Sequence, residues 1–152
     1  MTILSYVLAF LVAIGILVAV HEYGHFWMAR RVGVRVIRFS IGFGKVLWKR
    51  TDRHGTEFAI SAIPLGGYVK LLDEREGPVD ESQLASAYNR KPVWQRILVL
   101  LAGPVANFLF AVVAYWVLFV AGIPALKPVI GEVKPDSVAA RAGLASGQEV
   151  VA

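Results

Sequence analysis

The chain has 152 residues, 57% of them apolar, a mean hydropathy of +0.59 and no cysteine, which excludes disulfides and thiolate metal sites. Its net charge of +5 does not mark a nucleic-acid partner. Thirteen of the 16 Lys and Arg residues fall between Arg30 and Arg96, in one segment that joins two long apolar blocks.

The first block, Ile3 to Val20, runs 18 residues without a charge, and the second, Ile97 to Ala121, runs 25. A bilayer core about 30 Å thick takes roughly 20 apolar helical residues, so each block is long enough to span it, and membrane lipid is part of this chain's solvent. A cleaved signal peptide fits the first block poorly. No Lys or Arg precedes it, no small-x-small site follows it, and His21-Glu22 comes directly after Val20. Helix one is therefore expected over residues 1–31, running through the apolar Phe26-Trp27-Met28-Ala29 to Arg30 or Arg31, with Gly33 as its stop signal.

Residues 32–95 form the basic segment. Arg30-Arg31 and Arg90-Lys91 lie at the span ends, where Lys and Arg hold a loop in the cytoplasm, so the N-terminus and the chain beyond Ala121 are expected outside. Four short β-rich runs follow one another here: Val34–Ile41, Val46–Trp48, Phe58–Ile63 and Tyr68–Leu72. Gly42-Phe43-Gly44, Asp52-Arg53-His54-Gly55 and Pro64-Leu65-Gly66-Gly67 separate them, which predicts two hairpins or a four-stranded meander at the membrane boundary. Asp73 to Lys91 reads as a polar linker or short helix. Trp94 marks the interface before the second helix, expected over 96–122, and residues 127–152 read as a soluble tail.

His21-Glu22-Tyr23-Gly24-His25 carries the chemistry. Residues four apart share a helix face, so His21 and His25 can offer ring nitrogens to one zinc ion, while Glu22 reaches a water on that ion without ligating it. Zinc lowers the pKa of such a water towards 7, and the carboxylate can accept its proton and later deliver it to a leaving amine. Gly24 leaves room for close approach on that face. Ionisable groups inside a span are functional by default, the bland alternative being a polar contact between helices. His21 stands 18 residues after Ile3, roughly 27 Å along a helix, which puts the motif inside the membrane near its cytoplasmic face. His54, beside Gly55, reads as a solvated turn residue. Asn107, the single amide in the second span, could brace a helix contact or bind a substrate backbone, and Gly103-Pro104 loosens the helix nearby.

Taken together with Arg38-Phe39-Ser40-Ile41-Gly42-Phe43-Gly44, Ile63-Pro64-Leu65-Gly66-Gly67-Tyr68-Val69-Lys70 and Ala102-Gly103-Pro104-Val105-Ala106-Asn107, the motif resembles the site-2 protease family of intramembrane zinc metalloproteases, from about Leu11 onward. The resemblance implies a membrane α-helical protein with a membrane-associated β-hairpin sheet in the bacterial inner membrane. It implies Zn2+ as cofactor, His21 and His25 as metal ligands, Glu22 as catalytic base, and Asn107, Gly66, Gly67 and Tyr68 as substrate-binding residues. The substrate would be a single-span membrane protein of the anti-sigma factor class, received by strand pairing at a sheet edge and cleaved during envelope stress. Residues 127–152 would be the incomplete start of a periplasmic PDZ-like domain. The family takes its third ligand from an aspartate in a later transmembrane helix, and no Asp or Glu lies in the second span. An N-terminal portion of a longer protease is therefore expected. Two rivals remain: a membrane-anchored enzyme with a cytosolic catalytic domain, and a catalytically inactive membrane scaffold or metal-binding adaptor.

Overall fold

A computed structural model describes residues 2–122 and 128–150. Of the expected tail, Lys127, Val151 and Ala152 lie outside the described residues. Helix α1 spans Ile3–Arg31, strand β1 Val36–Thr51, strand β2 Glu57–Leu71, helix α2 Val93–Ala121 and the short helix α3 Val138–Arg141. The chain divides into two units, residues 1–114 and 115–152.

Each long helix contains an 18-residue stretch of high mean hydropathy, 2.8 in α1 and 2.4 in α2. They also expose their apolar side chains, with Ile3 84% exposed and Phe108 70%. A helix from the core of a soluble protein would bury such groups, so these are membrane-facing surfaces. Helix α1 stops where the sequence predicts. Gly33 adopts φ +71°, and its N–H donates to the Arg30 carbonyl while the Val34 N–H reaches back to Ala29 at 2.8 Å. That pair of bonds satisfies carbonyls the helix end would otherwise leave open.

In the first unit the sheet packs on the C-terminal half of α1. Phe26, Phe39 and Phe58 form a triangle of rings with centroids 5.4–5.6 Å apart, surrounded by Ala29, Val34, Val36 and Val99. The sheet departs from the expected four separate strands. Two long strands continue through Gly42-Phe43-Gly44 and Pro64-Leu65-Gly66-Gly67, while Asp52-Arg53-His54-Gly55 separates them as the sequence marks. They pair in three places: Val36–Ile41 beside Gly67–Leu71, Val46–Thr51 beside Glu57–Ser61, and Arg38–Ile41 also beside Glu57–Ile60. The first two ladders are antiparallel; in the third the residue numbers of both partners rise together. Gly42 and Gly44, at φ +87° and +81°, and Gly66, at φ +129°, let each strand fold on itself without ending its pairing. Leu47, Ile63 and Leu65 project from this sheet more than 45% exposed.

Between β2 and α2 the expected linker is a run of short 3-10 turns at Glu74–Glu76, Glu81–Ser86 and Tyr88–Arg90. It is tied back to the fold by the Tyr88 N–H donating to the Leu72 carbonyl at 2.7 Å. Helix α2 begins at Val93, three residues before the predicted start, and runs unbroken through Pro104.

The second unit holds the end of α2, where Tyr115 stacks on Phe119, and the tail. There Val129 bridges Glu149, the Ile130 N–H donates to the Gln148 carbonyl at 2.8 Å while the Gly147 N–H donates to the Ile130 carbonyl at 2.9 Å, and Ser137 caps α3 by accepting from the Ala140 N–H at 3.1 Å.

Candidate metal centre

Helical spacing brings His21 and His25 together on one face of α1. Their rings meet edge to face at 4.7 Å between centroids, and their Nε2 atoms lie 3.1 Å apart. His25 is fixed from behind. Its Nδ1 lies 2.7 Å from the Val99 carbonyl, which can only accept, so that nitrogen carries the proton and Nε2 keeps its lone pair.

Glycines on both helices make this contact reachable. A Cβ on Gly103 would overlap the His25 imidazole, and one on Gly24 would overlap the Ala102 carbonyl and stand 2.8 Å from the Ala106 methyl. Gly24 thus admits the backbone of α2 to that face of α1. Small residues let transmembrane helices approach this closely. Asn107, one turn below Gly103, reaches the other histidine, its Nδ2 standing 3.4 Å from His21 Nδ1.

Glu22 faces the bend of β2. A Cβ on Gly67 would lie 3.1 Å from Glu22 Cγ and 2.7 Å from the Ser40 carbonyl, so only glycine lets the strand pass this near the carboxylate. An open cleft of about 470 Å³ results, lined by His21, Glu22, Asn107, Gly66, Gly67, Phe43 and the apolar flank of α1.

Five of the seven candidate residues therefore line one cleft, His21, Glu22, Asn107, Gly66 and Gly67, and His25 adjoins it through His21. Tyr68 stands apart from the cleft lining, its ring stacked on Phe43 at 6.1 Å and its hydroxyl accepting from Arg38 at 3.2 Å. His54 sits in an exposed turn 3.7 Å from Asp52, as its sequence setting suggested.

Three participants escaped the sequence. The Val99 carbonyl has no side-chain signature at all. Phe43 forms a wall of the cleft because the ring packs over Gly66. Gly103 serves as the seat for His25 as well as a neighbour of Pro104.

The histidine pair suits zinc. Two ligands of a tetrahedral ion at about 2.0–2.1 Å stand roughly 3.3 Å apart, close to the 3.1 Å separation here, and neutral imidazole is a preferred donor. Among the described residues no cluster of three His, Cys, Asp or Glu forms.

Comparison with known proteins agrees. Residues 9–149 match peptidase family M50. The regulator of sigma-E protease of Salmonella typhimurium is 60% identical over 144 residues, and that of Escherichia coli 58% over 144, each alignment covering 95% of this chain and 32% of the relative. A Vibrio cholerae relative with zinc metalloprotease in its name is 59% identical over 145 residues, with the same coverage. The chain spans about a third of the length of the curated relatives it matches.

Proposed function

Because the chain belongs to peptidase family M50, we propose that it carries two zinc ligands and the catalytic base of an intramembrane endopeptidase. The observation that carries this reading is the approach of His21 Nε2 to His25 Nε2, with Glu22 opening onto the same cleft. The zinc metalloprotease name of one relative supports the choice of ion.

His21 and His25 would hold the zinc ion, with a third ligand that the family resemblance assigns to an aspartate of a later transmembrane helix, and the bound ion would supply Lewis acidity at the scissile carbonyl. Glu22 accepts the proton of the attacking water on its carboxylate and returns it to the leaving nitrogen, as general base and then general acid. The half-buried setting between α1 and the bend of β2 limits the water beside it.

The substrate is a single-span membrane protein whose helix unwinds to expose a peptide bond. Among the described residues the outer segment of β2, Gly67–Leu71, pairs on one side only, with Val36–Ile41, and its other side offers an edge to an extended chain. Gly66, Gly67, Tyr68 and Asn107 would contact that strand. Names of the relatives as regulators of sigma-E protease support an anti-sigma factor as substrate and a role in envelope stress.

In this reading the protein is a multi-pass protein of the bacterial inner membrane, with residues 31–95 cytoplasmic. The exposed apolar side chains Leu47, Ile63 and Leu65 dip the sheet into the membrane boundary, and residues 127–152 open a periplasmic PDZ-like domain. A catalytically inactive scaffold is the competing reading.

Cleavage of a reconstituted single-span substrate by the full-length protein separates the two. Glu22→Gln should reduce the rate by at least about 100-fold, with zinc content unchanged. Equal rates for wild type and Glu22→Gln would remove Glu22 from the chemistry.

A further inference from the structure

A cavity of about 400 Å³ opens where α1 ends, lined by Arg30, Arg35, His54 and Ser86 over a buried apolar floor of Val34 and Val36. Lys91 reaches its rim, the Nζ lying 3.4 Å from where a Cβ on Gly33 would stand. Its charges are unbalanced. Arg30 is paired with Asp52, and His54 stands 3.7 Å from the same carboxylate. Arg35 and Lys91 have no ion pair and no side-chain hydrogen bond among the described residues, and the Ser86 hydroxyl has no partner either. Helix capping does not account for them. The carbonyls at the end of α1 already accept from the N–H groups of Val32, Gly33 and Val34, and the cations of its last turn are Arg30 and Arg31.

Both long helices meet the membrane surface at this level. Arg31 stacks over the exposed Trp27 ring at 5.1 Å, and the exposed Trp94 opens α2 just after Lys91. Tryptophan and arginine are residues of the headgroup layer. We propose that the cavity holds the phosphate of an anionic phospholipid, with Arg35 and Lys91 as its counter-charges and the Ser86 hydroxyl as a further donor. A guanidinium presents paired N–H donors that match two phosphate oxygens, and an ammonium adds a point charge beside them. Basic pockets at the ends of membrane helices bind anionic headgroups in this way. The exposed rings of Tyr23 and Trp27 leave an apolar flank of α1 for the acyl chains. A zwitterionic lipid would bring its own ammonium towards Arg35, so the site discriminates by charge. A soluble phosphate shares the charge but not the position.

This inference rests on the reading of α1 and α2 as membrane-spanning helices and is independent of the metal site. Binding is measured by native mass spectrometry of the full-length protein in detergent, with dilauroyl phosphatidylglycerol or dilauroyl phosphatidylcholine added. Phosphatidylglycerol should bind the more tightly. Arg35→Gln and Lys91→Gln should each weaken it about fivefold. Arg53→Gln removes a cation that lines a different cavity, and it should leave the affinity unchanged. Neither Arg35 nor Lys91 holds a side-chain partner in the fold, so both variants should fold. If one does not, the other decides.

Unchanged affinity in Arg35→Gln and Lys91→Gln overturns the site. Equal affinity for the two lipids, or equal losses in all three variants, reduces it to diffuse surface charge and also overturns it. Displacement of phosphatidylglycerol by equimolar inorganic phosphate or hexaglutamate would assign the cavity to a soluble anion or an acidic peptide instead. A protein that stays in solution without detergent would overturn the spanning reading itself. A membrane-inserted protein without lipid preference would overturn the cavity's role alone.

Discussion

A methyl group added at Gly103 would occupy the position of the His25 imidazole, and one at Gly24 would collide with the backbone of α2. Space around Gly15, on the same helix, is empty within 4 Å. Three Gly→Ala variants should therefore diverge. Gly24→Ala should cost about 1–3 kcal/mol in stability through overpacking, read as a lower midpoint of thermal unfolding. Gly103→Ala should also displace His25 and weaken zinc binding by about tenfold or more. Gly15→Ala should be neutral or gain up to about 1 kcal/mol, because glycine is the poorer helix former. Equal effects at Gly15 and Gly24 would remove the close crossing of the helices as their cause. At this scale the His21-Glu22-Tyr23-Gly24-His25 motif was legible because ligand spacing is a property of one helix. The seat for His25 was not, since it is formed by an absent side chain and a carbonyl from residues 74–78 positions further along.

Among the elements, the sheet is joined to α1 at its tip. Arg30 donates to Asp52 and, at 2.9 Å, to the Thr56 hydroxyl, which in turn donates to the Val36 carbonyl at 2.8 Å. Burial alone would raise the Asp52 carboxyl. Donation from Arg30 and from the backbone N–H groups of Thr56 and His54, with the Arg30 charge, outweighs it and holds the carboxyl down at about 2. A group whose pKa falls on folding stabilises the fold above its unfolded value, near 3.9, and loses that contribution as pH drops through the folded value. Amide exchange at Thr56 and Gly55, corrected for the intrinsic rate, should stay protected down to about pH 4. It should then lose protection toward pH 2. Asp52→Asn should show weakened protection already at neutral pH; a flat profile in both proteins would contradict the assignment. The β-rich composition of this region was readable, but its two-strand form was not. Glycine pairs mark a change of direction, and the sequence does not say whether pairing survives that change, which depends on partners on both sides of Arg38–Ile41.

For the molecule as a whole, hydropathy and the placement of cations make a prediction about orientation. The 152 residues contain no cysteine, so a single introduced thiol is the only one in this segment. Lys134→Cys should react with a membrane-impermeant maleimide in intact spheroplasts, whereas Lys45→Cys should react only after the membrane is opened. Labelling of Lys45→Cys but not of Lys134→Cys in intact spheroplasts would reverse the topology. The sequence by itself determined the two long apolar helices, the stop at Gly33, the His-Glu-x-x-His spacing and the family, because each depends on local periodicity or on a short motif. Only the tertiary structure decided which residues meet. Val99 and Asn107 stand behind the two histidines, Gly67 passes beside Glu22, and Tyr68 turns to Arg38 instead of the cleft. Those contacts depend on how closely two helices and a folded ribbon can approach, and that distance is set by side-chain volume across the interface, which no single stretch of sequence contains.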